Sequence, residues 1–433
     1  MTKLPPKTLL MALRVAPSVW ASLHTAVQET NDPSVMLWQG MSKTHSDGPI
    51  NPGLFARAQY DDHPGPATPP EEIKKILKAL RDPNSVVHVF NSAAGQHAND
   101  RLLCAMTALS EIIEEYKNKG GARAVVFHML YDSAGRNDKV HRVHSIGTDG
   151  TDTIVSEHNT PFGVMLPLML RRLGVDFMTA FDPHSFLTSQ NYARAFRNQS
   201  VTILSNINPI AQGIIEKHRE SILDGTFRLG APDGWDKKDK LLENMATQRV
   251  RDVAEIIWNK LPELRQNHTD FESFLKHVQF GIIKQRQSQY PGQAAKPVVV
   301  GFDGDVAGCV CVLLDDLSDT GGSVIQSGIV LRNKGAKRVD AALCHGPPYE
   351  ETLQKILHET TFAGGHTSVV IDNLIITNTM ARVEAFHMGL GIEGKRRVHM
   401  VNSGNALVDH LCNPVPHRDR LPEPSLLRGI TLE

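Results

Sequence analysis

The sequence predicts an α/β protein of two similar units, each a mainly parallel sheet flanked by helices. Three observations carry that prediction. From Ser85 onward, short apolar runs rich in β-branched residues alternate with helical stretches, as in strands joined by helical crossovers. A second series of the same plan follows from Lys237. The 433 residues also exceed what one core ordinarily organises, about 100 to 200 residues per domain.

Residues 1–84 hold many prolines and turn residues (Pro49, Pro52, Pro64, Pro66, Pro69, Pro70) and read as an N-terminal extension or a diverged start of the first lobe. They contain one expected helix, near 7–29. The first domain, 85–220, carries strands over 86–90, 123–131, 175–181 and 201–204 and a helix over 99–117. Residues 160–174 form another helix, with Thr160 as N-cap, Pro161 in the first turn, Gly174 just past the end and Pro167 as a kink. The second domain, 221–400, opens with a long helical stretch over 237–275. Strands are expected near 278–283, at 310–314 and 339–344, and in the apolar runs 374–376 and 398–401. The last segment, 401–433, is expected to pack back on the first domain.

Composition removes several function classes. With 41% hydrophobic residues, 21% charged residues and a formal net charge of -1, no bulk field attracts nucleic acid or membrane, so an anionic ligand must be held locally. Five cysteines without a CxxC pair supply neither a disulfide framework nor a zinc ribbon, and Cys309 and Cys311 read as core residues. Arg14 and His24 interrupt the apolar stretch 8–27, which is too polar for a membrane span. A soluble cytoplasmic protein is expected, with a weak signal peptide as the minor alternative. His141, His144 and His158 lack acidic or cysteine partners at ligand spacing and read as surface residues. GLGIEG at 389–394 has the letters of a dinucleotide loop, but no apolar strand feeds it and no helix is expected after it.

The strongest chemical signal is the segment 310–344, read as strand, acidic glycine-rich loop, helix and strand. Asp315 and Asp316 emerge at the carboxyl end of a parallel strand, where open α/β sheets bind ligands. Asp319, Thr320, Gly321, Gly322 and Ser323 then offer consecutive backbone N–H groups at a helix N-terminus, a setting for phosphate. The neighbouring carboxylates would repel a bare phosphate unless they engage sugar hydroxyls or a metal ion. A phosphorylated sugar therefore fits better. A plain Asp/Gly turn does not require two acids, a Thr-Gly-Gly-Ser run and a βαβ setting to coincide.

DDLSDTGGS resembles the ribose 5-phosphate motif shared by phosphoribosyltransferases and ribose-phosphate diphosphokinases, and the chain around it resembles the latter from about residue 86 to 411, with insertions. The segment 97–109 (HANDRLLCAMTAL) looks like that family's Asn-Asp helix opening. GRNDK at 135–139 is similar to its Ala-Arg-Gln-Asp-Arg/Lys segment, which implies that Arg136, Asn137 and Asp138 face ATP. FDPH at 181–184 matches Asp-Leu-His, implying that Asp182 and His184 lie toward ATP and magnesium, with His184 also catalytic. APDG at 231–234 resembles Ser-Pro-Asp-x-Gly-Gly with Trp235 in place of the second glycine, making Asp233 a metal contact by resemblance. IIKQR at 282–286 resembles the opening of the family's mobile catalytic loop, giving Lys284 and Arg286 as catalytic cations, and ITNT at 376–379 matches a late family motif.

The resemblance implies two phosphoribosyltransferase-like domains, ATP on the first and a ribose 5-phosphate-type sugar on the second, Mg2+ as cofactor, and a homo-oligomer. It also implies transfer of diphosphate to the anomeric hydroxyl, yielding phosphoribosyl pyrophosphate and AMP. The family's adenine-contacting Phe-Ser-Asp-Gly-Glu segment has no clear counterpart: Tyr60, Asp61, Asp62 and His63 are nearest by position, and SDGPI at 46–50 is nearer in letters. Three other readings stand beside this one: a larger acceptor with a ribose 5-phosphate end such as ADP-ribose, a phosphoribosyltransferase, and a silent regulatory homologue.

Overall fold

The apolar run beginning at Thr8 does not form one helix. In the computed structural model it divides into a strand, β1 (Thr8–Arg14), and a helix, α1 (Pro17–Thr30), whose proline at the first turn has no N–H to leave unpaired. Leu9, Leu10 and Met11 are all fully buried, so the strand shows no alternation and its apolar run reads equally as helix. The structure describes residues 4, 7–39, 70–93, 98–132, 141–146, 152–158, 162–184, 186–196, 200–232, 245–287, 296–363 and 366–412.

β1 pairs in parallel with β2 (Met36–Gln39) and β3 (Val86–Ala93), so residues 8–39 contribute strands to the first sheet. α2 (Pro70–Arg81) precedes β3, and α3 (Ala98–Glu115) follows it. Leu102, Ala105, Met106, Leu109, Ile112 and Ile113 make the buried stripe of α3 at helical spacing. β4 (Ala124–Asp132) comes next, followed by an antiparallel hairpin, β5 (His141–Ile146) and β6 (Asp152–His158), in which His141 lies opposite His158. α4 (Phe162–Leu173) contains Pro167 and ends at Gly174, whose φ of 102° suits glycine. Thr160 and Pro161 lie outside the described residues. β7 (Phe177–Phe181), α5 (Phe186–Ala195) and β8 (Val201–Leu204) complete this half. The described strands form a parallel sheet in the order β2-β1-β3-β4-β7-β8.

The expected boundary near residue 220 falls inside α6 (Ile207–Leu223). The isoleucines of α6 pack on the second sheet, beside Leu229, Val312, Ala342 and Ile375, so by packing this helix goes with the second half. β9 (Phe227–Ala231) leads to α7 (Met245–Lys260) and α8 (Phe271–Val278). These interrupt the expected continuous helix because Pro262 drives Leu261 out of helical backbone, and Asp270 starts α8 afresh by accepting the Ser273 N–H at 2.8 Å. β10 (Gln279–Gln287) and β11 (Lys296–Asp303) form an antiparallel edge. Then come β12 (Val310–Leu317), α9 (Gly322–Asn333), β13 (Arg338–His345) and α10 (Glu350–His358). A hairpin of β14 (Thr360–Ala363) and β15 (His366–Val369) precedes β16 (Asn373–Thr377).

α11 (Ala381–Gly389) ends on the first residue of the GLGIEG segment and α12 (Ile392–Arg397) begins inside it, followed by β17 (Val398–Val401) and α13 (Gly404–Cys412). A short helix thus follows the glycines where none was expected. A helix rather than a strand feeds them, so the dinucleotide setting is still not met. The second sheet runs β11-β10-β9-β12-β13-β16-β17, parallel apart from its first pair. Leu407 and Leu411 of α13 pack with Leu23 of α1 and Phe90 of β3, returning the chain to the first sheet. Both sheets are covered on both faces. No helix of the described residues is long and apolar enough to cross a membrane.

Close approach of α9 to the segment joining β15 to β16 depends on Gly328, where a Cβ would stand 2.5 Å from Val370 Cγ1 and 2.9 Å from Ile371 Cδ1. Gly328→Ala is expected to cost about 1–3 kcal/mol of overpacking, more than the roughly 1 kcal/mol that alanine's helix propensity restores. Urea unfolding checks this as a lower midpoint at unchanged slope.

Candidate functional site

The carboxyl ends of β3, β4 and β7 face those of β12, β13 and β16, and polar contacts cross the gap between them. Ser92 Oγ at the end of β3 donates to Thr379 O at 2.7 Å. The His184 ring, two residues beyond Asp182, places Nδ1 2.6 Å from Asp316 Oδ2. Tyr131, Pro183, His184, Asp316, Leu317 and His345 line the cleft between the two sets of strand ends.

On the second sheet, Asp315 and Asp316 are adjacent residues just before Leu317 at the end of β12 and therefore point to opposite sides. Asp316 is buried and Asp315 half-buried, with Asp315 Oδ1 accepting the Asp316 N–H at 2.9 Å. Burial alone would raise the Asp316 pKa, but the Arg249 guanidinium and the His184 ring hold it well below the ordinary carboxylate range. Arg249, itself buried, sits 3.7 Å from Asp316 Oδ1 and donates to Pro183 O at 3.4 Å.

The loop after Asp316 is braced from α10: Thr352 Oγ1 donates to Asp319 O at 2.6 Å and Lys355 Nζ to Thr320 O at 3.3 Å. Gly321 takes a φ of 75°, and no side chain caps α9 there, so the first N–H groups of the helix face the loop. Thr320, Gly322 and Ser323 complete the concavity. Lys284 joins it from β10, donating to Ser323 O at 3.0 Å, and the irregular register between Ile283 and Lys284 turns that side chain. A phosphate would find backbone donors and one ammonium group here.

Asp182 lines the same cleft as His184, and its carboxylate is engaged from the side of α6. Its φ is 35°, in the left-handed region, and its carboxylate accepts Ser205 Oγ and the Asn206 N–H, each at 2.7 Å. Both oxygens are thus engaged at the N-terminus of α6. Arg136, Asn137, Asp138 and Asp233 lie outside the described residues, as do 46–50 and 60–63. Arg286 follows Lys284 by two residues on β10, with its backbone opposite Pro297. Its side chain is outside the described set.

Sequence reasoning passed over Arg249 and His345. For Arg249 a signal existed: Ala246, Val250, Val253 and Ile257 make the inner stripe of α7, and a charge embedded in it requires a buried partner. His345 carried none, since a histidine ending a strand is ordinary in sequence.

These features define a protein of two phosphoribosyltransferase-type α/β domains with their strand ends opposed. The structure of phosphoribosylpyrophosphate synthetase from Mycobacterium smegmatis shares the fold over 94% of this chain and 97% of that one, with a TM-score of 0.58 and 16% identity. Among curated proteins, ribose-phosphate pyrophosphokinase of Mycobacterium tuberculosis is 35% identical over 99 residues, which is 23% of this chain and 26% of the relative. That of Mycoplasmopsis pulmonis is 28% identical over 174 residues, 40% of this chain and 41% of the relative. The chain is thus similar in sequence to ribose-phosphate pyrophosphokinases over part of its length and shares the fold of a phosphoribosylpyrophosphate synthetase over nearly all of it. It matches between about a quarter and two fifths of the length of these curated relatives, and no family profile matches it.

Proposed function

We propose that the chain transfers a diphosphoryl group from ATP to the anomeric hydroxyl of ribose 5-phosphate, giving phosphoribosyl pyrophosphate and AMP. The observation that carries this reading is the convergence, at opposed strand ends, of the uncapped N-terminus of α9 with Lys284 beside it, the Asp315–Asp316 pair, and His184 from the other sheet. In this reading the 5-phosphate rests on the N–H groups of Asp319 to Ser323. The hydroxyls turn to Asp315, whose neighbour Asp316 is already engaged by Arg249 and His184. ATP lies across the cleft on Arg136, Asn137, Asp138 and His184.

The anomeric oxygen attacks the β-phosphorus, the bond from that phosphorus to the α,β-bridging oxygen breaks, AMP departs with the electron pair, and the hydroxyl proton is released. Such transfer needs positioning and neutralisation of spreading charge. Lys284 and Arg286 supply that charge. Among the described residues no three His, Cys, Asp or Glu side chains stand close enough to hold a metal ion by themselves. Magnesium in such a site is held by substrate phosphates and one or two carboxylates, which suits Asp315, with Asp233 and His184 nearby by resemblance and Asp182 turned into α6. Magnesium would supply neutralisation of the phosphate charge. We place the activity in the cytoplasm and in a homo-oligomer.

The test is to supply ATP and Mg2+ with ribose 5-phosphate or ADP-ribose and to weigh the products. AMP should appear in step with a sugar two phosphoryl groups heavier. ADP as the sole nucleotide product would reject diphosphoryl transfer, and AMP formed without any acceptor would reduce the reading to hydrolysis.

A further inference from the structure

We infer that His345 is a positioning residue for the proposed transfer, holding the turn Asp182-Pro183-His184 of the first domain in the conformation that presents His184 to Asp316. The inference rests on that functional reading and on three observations. First, His345 is buried at the end of β13, and its ring meets the Tyr131 ring edge-on at 5.2 Å, so it stands in the seam between the two domains. Second, its ring nitrogens reach opposite sides of that seam: Nδ1 is 2.7 Å from Thr379 Oγ1 in its own domain and Nε2 is 3.3 Å from Asp182 O in the other. Third, Asp182 adopts a φ of 35° without being glycine, a strained backbone state that persists only where its surroundings enforce it.

The protons can be assigned along this chain. A backbone carbonyl only accepts, so Nε2 must carry the hydrogen and Nδ1 must accept from the Thr379 hydroxyl. Thr377 Oγ1 spends its hydrogen on Cys344 O, so the single Thr379 hydroxyl hydrogen has two acceptors within reach, Thr377 Oγ1 at 3.2 Å and His345 Nδ1 at 2.7 Å, and the shorter contact assigns it to His345. Burial, the largest influence on the ring, keeps its pKa below the ordinary histidine value, so it is neutral at pH 7. Ser205 and Asn206 hold the Asp182 carboxylate from one side and His345 holds its carbonyl from the other. The next two residues are thereby aimed into the cleft, and His184 meets Asp316.

The test compares His345→Leu with His345→Gln in the full-length protein. Glutamine keeps an N–H donor for Asp182 O and an acceptor for Thr379, whereas leucine keeps only volume. His345→Leu is expected to lower kcat roughly 10- to 100-fold with KM for both substrates within about threefold, the pattern of a misaligned reacting group. His345→Gln is expected to recover most of the loss. Full kcat in His345→Leu, or equal impairment of two folded variants, would overturn the inference. Should the leucine variant not fold, Thr379→Val removes the Nδ1 partner alone and must lower kcat in the same direction. Independently of any turnover, nitrogen NMR of [15N]histidine protein, assigned by difference from His345→Gln, must show His345 as the neutral Nε2–H form. The Nδ1–H form would overturn the inference even with an active enzyme, while wild-type protein that makes no sugar diphosphate would overturn the functional reading and leave the NMR result to decide this one.

Discussion

Lys284→Ala is expected to lower turnover by roughly 10²- to 10³-fold, the loss that follows removal of one preorganised charge-stabilising donor, while leaving the affinities for ATP and sugar nearly intact. The reason is geometric. Irregular register in β10 delivers the ammonium to Ser323 O at the first turn of α9, beside the loop proposed to hold the 5-phosphate. From there its charge counts most as negative charge spreads in the transition state, so kcat and kcat/KM should fall together. Arg286→Ala is expected to act in the same direction. Steady-state kinetics on both variants decides it. A rise in KM at unchanged kcat would assign Lys284 to ground-state recognition and remove it from the transfer step.

Arg249→Met should produce the largest loss of stability of any substitution near the site, about 3 kcal/mol, at the low end for breaking a buried ion pair. Arg249 is buried on the inner face of α7, with the carboxylates of Asp182, Asp315 and Asp316 around it. Methionine fills the volume but leaves Asp316 buried with only His184 opposite. Adding Asp316→Asn to Arg249→Met should therefore restore part of the loss, because the uncompensated charge is gone. Urea unfolding of the two single variants and the double variant measures this coupling. Strict additivity would show that Arg249 and Asp316 do not act as a pair. Activity should fall in both variants that lack Arg249, since Pro183 O loses its donor at the turn that carries His184, and in Asp316→Asn because His184 loses its carboxylate partner.

The parts of this molecule legible in the sequence are those in which neighbours in the chain remain neighbours in space. β12, its acidic loop, α9 and β13 are consecutive, and each announces itself by period, glycine or charge, so the loop from Asp315 to Ser323 and its suitability for phosphate are legible in the residue pattern alone. The strands at 86–90 and 201–204 are legible for the same reason. β1 is not, because a strand buried on both faces has the same apolar run as a buried helix. The allegiance of α6 is not legible either, since an apolar stripe states that it is covered but not by which sheet.

By itself, then, the sequence determined two α/β units and the acidic glycine-rich loop at the end of β12, and it singled out Lys284 and His184. Only the tertiary structure decided that His184 closes on Asp316 from the opposite domain, that Arg249 stands behind that carboxylate, that Asp182 turns its oxygens into α6 and that His345 grips its carbonyl. The residues that meet Asp316 or Asp182 from afar are separated from them by between 67 and 163 positions in the chain, as 316 minus 249 and 345 minus 182 show. Periodicity and motif spacing report on contacts within a few residues. Contacts across a domain seam are set by how two sheets twist and where their strands end, and each side chain there takes its role from a partner that its own neighbours in sequence do not specify.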